Sequence, residues 1–245
     1  MIRASHPRTA IVLVGIFDPN PLVWQTERLL ALMNQAPARW ERGVVVIRIG
    51  TNSFVRVHHL DLLARDPDAP EVAPLISACI DDIRESVRMI RASHPRTAIV
   101  LVGIFDNVHW ARYLTRWDSA AQTRNIAQAL DRFDDALRAT SASDPRMAFF
   151  DDRAWFSEHW GGRDASGRAA YGKVVFGRAL EVSNTAGDHP RHAVLKDGHA
   201  GVVWNTLWAQ ALVELLDARF GLGIRPLAAE EMFPFVDPDG ALGLH

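Results

Sequence analysis

The sequence predicts an α/β fold, a doubly wound parallel sheet covered by helices on both faces, and three observations predict it. Four short apolar runs rich in β-branched residues are spaced along the chain, as buried parallel strands require. Longer segments of helical period lie between them, the alternation that a sheet with right-handed crossovers produces. The length, 245 residues with a formal net charge of −2, suits one large domain spanning residues 1–245.

The expected strands are Ala10–Phe17, Val44–Ile49, Ala98–Phe105 and Met147–Phe150. Helices are expected near 22–36, 71–92, 119–140 and 200–219. In the third, Ile126, Leu130, Phe133 and Leu137 recur at spacings of four, three and four, an amphipathic stripe. The last ends at Gly221 and Gly223, which act as helix stops. Residues 160–195, rich in Gly, Arg, Asp and His, lack helical period and read as an irregular excursion near the site. A short hairpin is expected within it around KVVFGRALEV.

Residues 1–18, MIRASHPRTAIVLVGIFD, are repeated without change at residues 89–106. Drift would have altered some of eighteen positions over long divergence, so the copy is recent or artificial. Nothing else recurs at the offset of 88, which argues against a repeat architecture. The first copy is expected to fill the first-strand slot, or to compete with its twin for the third.

Composition excludes several classes. The arginines are interspersed with acidic residues, so no nucleic-acid partner is expected. The longest apolar runs, such as AIVLVGIF, are eight residues, too short to span a membrane. Cys79 is the only cysteine, so no disulfide or CxxC metal site exists within the chain, and its apolar setting places it in the core. The start lacks a signal-peptide pattern, so the chain as written is expected in the cytoplasm. Loss of an original start would leave secretion open. Oligomeric state is not legible.

Ligands of such folds collect at the carboxyl ends of the strands. The strand ends IGTNSF, GIFDN and FFDDR are polar. In the first, Gly50 permits a tight turn and Asn52 offers an NH2 donor suited to a developing oxyanion. Near the C-terminus, KDGH puts Asp197 where it can orient His199 as a general base. Strand-Gly-x-Asn turns are common, and a DGH turn also serves simply to start a helix.

Together these two motifs resemble the SGNH (GDSL-type) hydrolases. Gly50-Thr51-Asn52 is similar to the family's Gly-x-Asn-Asp block, with Ser53 in the last position. Asp197 and His199 resemble its final Asp-x-x-His block, with one intervening residue in place of two. The resemblance covers roughly residues 22–220. It implies a three-layer α/β/α sandwich around a flavodoxin-like parallel sheet of about five strands. It also implies serine-based hydrolysis of a small-molecule or glycan ester without cofactor. Asn52 would be the oxyanion donor, Gly50 its turn, His199 the base and Asp197 its orienting group.

The family's Gly-Asp-Ser-Leu block is missing: the first strand ends GIFDPN, and no glycine lies between Gly15 and Gly43. The nucleophile is therefore unidentified. Ser53 should point away from Asn52's direction, Ser5 and Ser93 precede strands, and Ser166 and Ser183 lie in the excursion. No G-x-S-x-G elbow occurs. The expected activity is accordingly impaired. The alternative is a catalytically inactive SGNH-fold binding module for an acylated glycan or lipid.

No metal is expected. His58 and His59 are adjacent and should diverge, and Asp188, His189 and His192 match no known ligand spacing. Asp188-His189 is a rival for the final block, but no helix follows it directly. Trp204 and Trp208 are expected in the core; Trp110, Trp155 and Trp160 follow strand ends, as core or as pocket lining.

Overall fold

A computed structural model describes residues 11–14, 21–164, 166–170, 172–177 and 180–244, with backbone alone at 11–14. The GIFDPN turn, Ser5 and both ends of the expected first strand lie outside the described residues. The chain divides into two compact units, Met1–Phe105 with Arg124–Asp152, and Asp106–Thr123 with Arg153–His245.

The first unit alternates strands and helices. In order these are β1 (Ile11–Val14), α1 (Leu22–Gln35), α2 (Pro37–Trp40), β2 (Val44–Ile47), α3 (Thr51–Phe54), α4 (Val57–Arg65), α5 (Ala73–Ser93), β3 (Ala98–Val102), α6 (Ala120–Ala142) and β4 (Met147–Phe150). The α/β expectation holds at this level. The described strands of this sheet number four, all parallel, in the order β1-β2-β3-β4. A flavodoxin-like order would put the first strand between the second and third. Here the two copies of the repeated sequence flank β2 on either side. Ile11 stands opposite Val44, whereas its twin Ile99 stands opposite Val45, a register difference of one residue. Identical apolar, β-branched strands can pair with either edge of β2, and no polar alternation selects one register. Hence, among the described strands, Ile11–Val14 pairs with one side of β2 and its twin with the other, so neither displaces the other.

Every residue of β2 and β3 is buried, as continuous apolar runs demand. The stripe on α6 is buried as its spacing predicts, and Phe133 packs against Phe54 with ring centroids 5.0 Å apart. Asp134, also buried, accepts the Ile104 amide at 2.8 Å, fixing the chain just beyond β3. Cys79 is buried at 6% exposure, and burial pushes its thiol up to about 12.

The second unit holds α7 (Asp152–Trp160), β5 (Lys173–Phe176), β6 (Leu180–Ala186), β7 (His192–Val194), α8 (Val202–Phe220) and α9 (Ala229–Val236). The segment expected to be irregular therefore contains a three-stranded sheet. The hairpin is present, with Phe176 opposite Leu180, and β7 adds in parallel to β6. These strands escape a periodicity search because they are short and their residue types do not follow burial: Val175 on β5 is exposed, whereas the polar Asn184 on β6 is buried. Aromatic rings fill this unit's core. Trp204 meets Trp155 edge-on at 5.1 Å and Trp110 at 6.0 Å, and Trp208 stacks on it at 6.4 Å. Trp160 is fully enclosed, so all five tryptophans considered above are core residues.

Among the described residues, no helix is long and apolar enough to cross a membrane. Because thiolate is the reactive form, Cys79 should ignore Ellman's reagent in the native protein and react fully in denaturant. Rapid native labelling would show that α5 does not bury it.

Candidate functional site

In the first unit, β2 runs through Arg48 to Gly50, whose φ of 114° is a backbone conformation that side chains resist. A Cβ there would lie 2.8 Å from Ile104 Cδ1 and 2.9 Å from the Phe54 ring, so only glycine fits. Asn52 follows on the single helical turn α3 and is exposed; its carbonyl accepts Arg56 Nε at 3.0 Å. Ser53, beside it on the same turn, is half-buried. Nearby, Arg48 pairs with the buried Asp152 carboxylate at 2.9 Å.

In the second unit, Asp197 and His199 lie together on the turn before α8. The Asp197 carboxylate accepts the His199 amide at 2.9 Å and meets Nδ1 at 3.0 Å. These bonds hold its carboxyl below the usual range, the amide contact contributing most. Both side chains are 63% exposed, so water screens the pair. The turn is tied at its backbone: Trp110 Nε1 donates to the Gly198 carbonyl at 3.0 Å and Arg112 Nη1 to that of Asp197 at 3.2 Å. Asp197 and His199 thus fall in the second unit, whereas Gly50 and Asn52 fall in the first.

Sequence reasoning passed over a better-enclosed pair. Just beyond β3, Asp106 Oδ1 accepts the amides of Val108 and His109, each at 3.1 Å. Its Oδ2 meets His109 Nδ1 at 2.7 Å, with side-chain exposures of 8% for Asp106 and 33% for His109. The spacing is Asp-x-x-His, a signal that was available in the GIFDN strand end. Distant segments hold the pair in place. Asn184 on β6, fully buried, donates Nδ2 to the His109 carbonyl at 2.9 Å. Gly162 lies so close that a Cβ would come 2.5 Å from His109 Cβ and 2.7 Å from Cδ2.

Other histidines serve local structure. His192 Nδ1 bonds Thr185, His189 Nδ1 accepts the Arg191 amide, and Asp188 pairs with Lys196. His58 and His59, expected to diverge, instead pack with ring centroids 3.9 Å apart at the start of α4. Burial, then the neighbouring His58, lowers the His59 value. Among the described residues, no group of three or more His, Cys, Asp or Glu comes together to hold a metal. Two of the serines weighed as nucleophiles are engaged elsewhere: Ser93 donates to Asn34 and Ser166 to Asp164. Ser183 is half-buried on β6.

Compared with known proteins, the chain matches no family and no curated protein.

Arg163, next to Gly162, is braced by the turn at Asp164. That carboxylate accepts the Ser166 hydroxyl at 2.6 Å and the amides of Ser166 and Arg168 at 2.9 and 3.0 Å. The Ser166 hydroxyl and the Arg168 amide lead in lowering its carboxyl to about 2, from an ordinary 3.8. A carboxyl whose folded value is depressed stabilises the fold fully above its unfolded value. The turn should therefore keep this contribution above about pH 4 and lose it as pH falls through about 2. The ¹³C carboxyl resonance of Asp164 should titrate near 2. A midpoint at 3.8 would show that the turn does not hold the carboxylate.

Proposed function

We propose that the chain is an ester hydrolase of SGNH type acting on a small-molecule or glycan carboxylic ester. The observation that supports this reading best is the Asp197–His199 contact at 3.0 Å on the turn directly before α8. The fold that the reading implies is a three-layer α/β/α sandwich with about five parallel strands. The sequential strand order of the first unit departs from that plan, so the reading rests on the turn and not on the sheet.

In the reaction, Asp197 holds Nδ1–H of His199, and the other ring nitrogen takes a proton from the attacking hydroxyl. With no serine identified, water is the attacking group. Its oxygen bonds the acyl carbon, the carbonyl π pair moves to oxygen, and the tetrahedral species then expels the alkoxide. The alkoxide takes the proton back from His199, leaving acid and alcohol. Asn52 as oxyanion donor comes from the resemblance alone.

A second reading, an inactive binding module for an acylated glycan or lipid, is favoured by the 63% exposure of both side chains. Hydrolysis of p-nitrophenyl acetate separates the two. The enzyme reading expects turnover that falls at least about 100-fold in His199→Ala. Turnover indifferent to that change removes His199 from the reaction, and no turnover in the wild-type chain supports the binding module.

A further inference from the structure

We propose that Asp106 and His109 form a second acid–base site, and that Arg163 beside it receives the anionic group of its substrate, a carboxylate-bearing ester. The proposal shares no residue with the reading above.

The pair is built for orientation. Asp106 spends Oδ1 on two backbone amides, which fixes the carboxylate plane, and presents Oδ2 to His109 at 2.7 Å. An ionised carboxylate at that distance selects the tautomer with hydrogen on Nδ1, leaving Nε2 as the basic nitrogen. Asn184 anchors the His109 backbone and Gly162 abuts the ring, so the imidazole is held from two further segments. The Asp197–His199 pair has no comparable enclosure, being 63% exposed on both sides where Asp106 is 8% exposed.

Arg163 supplies the second observation. Its Nη1 donates to the Gly167 carbonyl at 3.0 Å, while Nε and Nη2 are buried with no acceptor among the described residues. Those two nitrogens lie on one edge of the guanidinium, whose parallel N–H groups match the two oxygens of a carboxylate. Asn184 Oδ1 is likewise buried with no donor among the described residues. Buried polar groups are usually satisfied, so the unpaired guanidinium edge of Arg163, one residue from the Gly162 that abuts His109, marks a ligand position. Burial lowers the Arg163 guanidinium from its ordinary value, and the carboxylates of Asp118 and Asp106 act against that.

The chemistry balances without a cofactor. Nε2 takes a proton from water as its oxygen bonds the acyl carbon. The tetrahedral intermediate collapses, the carbon–alkoxide bond breaks, and the alkoxide leaves with the proton from Nε2–H.

The test compares mono-p-nitrophenyl succinate with p-nitrophenyl acetate on the full chain, with succinate binding by calorimetry as a second readout. The wild type should prefer the succinate ester at least about tenfold, the gain from one charge-assisted bidentate contact. His109→Gln should lower kcat/KM for it by at least about 100-fold. Asp106→Asn, which keeps the amide acceptor, should lower kcat with KM little changed, because the ring loses its tautomer. Arg163→Gln should erase the preference and succinate binding. The 197–199 turn is read separately, by the effect of His199→Ala on p-nitrophenyl acetate, so loss of one reading is separable from loss of the other. No turnover of the succinate ester by the wild type, or full turnover in His109→Gln, overturns the acid–base site. Succinate binding that survives in Arg163→Gln overturns the anion receptor.

Discussion

One buried carboxylate, that of Asp106, organises the start of the second unit. It takes two amides and an imidazole nitrogen at once, so three groups of the turn after β3 are set by a single side chain. A hydrogen bond to a charged acceptor is worth roughly 1.5–3 kcal/mol, more than a neutral bond. The turn thereby delivers Trp110 into the aromatic core against Trp204, and sets Arg112 and Trp110 where they grip the backbone of the 197–199 turn. Both Asp–His pairs of the unit depend on this one constraint, the first directly and the second through the two donors that follow it.

Asp106 is also the last residue of the repeated segment. The repeat places two identical strands on the two sides of β2, one residue apart in register. That arrangement is possible because the strand carries no polar residue to fix which alternate positions face a given side. Only the second copy continues into the Asn107–Val108–His109 turn. Among the described residues, Ile11–Val14 of the first copy is a sheet strand, whereas the second copy also leads into a built turn.

The strand–helix alternation was legible in the sequence because it depends on local apolar pattern. The α6 stripe at Ile126, Leu130, Phe133 and Leu137 and the aromatic face of α8 at Trp204 and Trp208 are buried as their spacing requires. Strand order was not legible, since β1 and β3 share one sequence and pairing partners are set by tertiary contacts. The sheet of β5, β6 and β7 hid in residues that carry turns and charges. The local geometry at the candidate residues was legible in part. The DGH turn does join Asp197 to His199, and Gly50 does occupy a position that only glycine fits. The Asp106–His109 pair carried a readable spacing, but what holds it is Asn184 and Gly162, 75 and 53 residues further along the chain. Closures of that kind leave no local pattern.

The central claim is that Asp106 holds His109 in one tautomer with a basic Nε2. The ¹⁵N chemical shifts of the His109 ring at neutral pH test it most directly. A protonated Nδ1 and a bare Nε2 in the wild type, reverting to the ordinary Nε2–H form in Asp106→Asn, is the result this account predicts. An Nε2–H tautomer in the wild type, or a tautomer indifferent to Asp106→Asn, would contradict it.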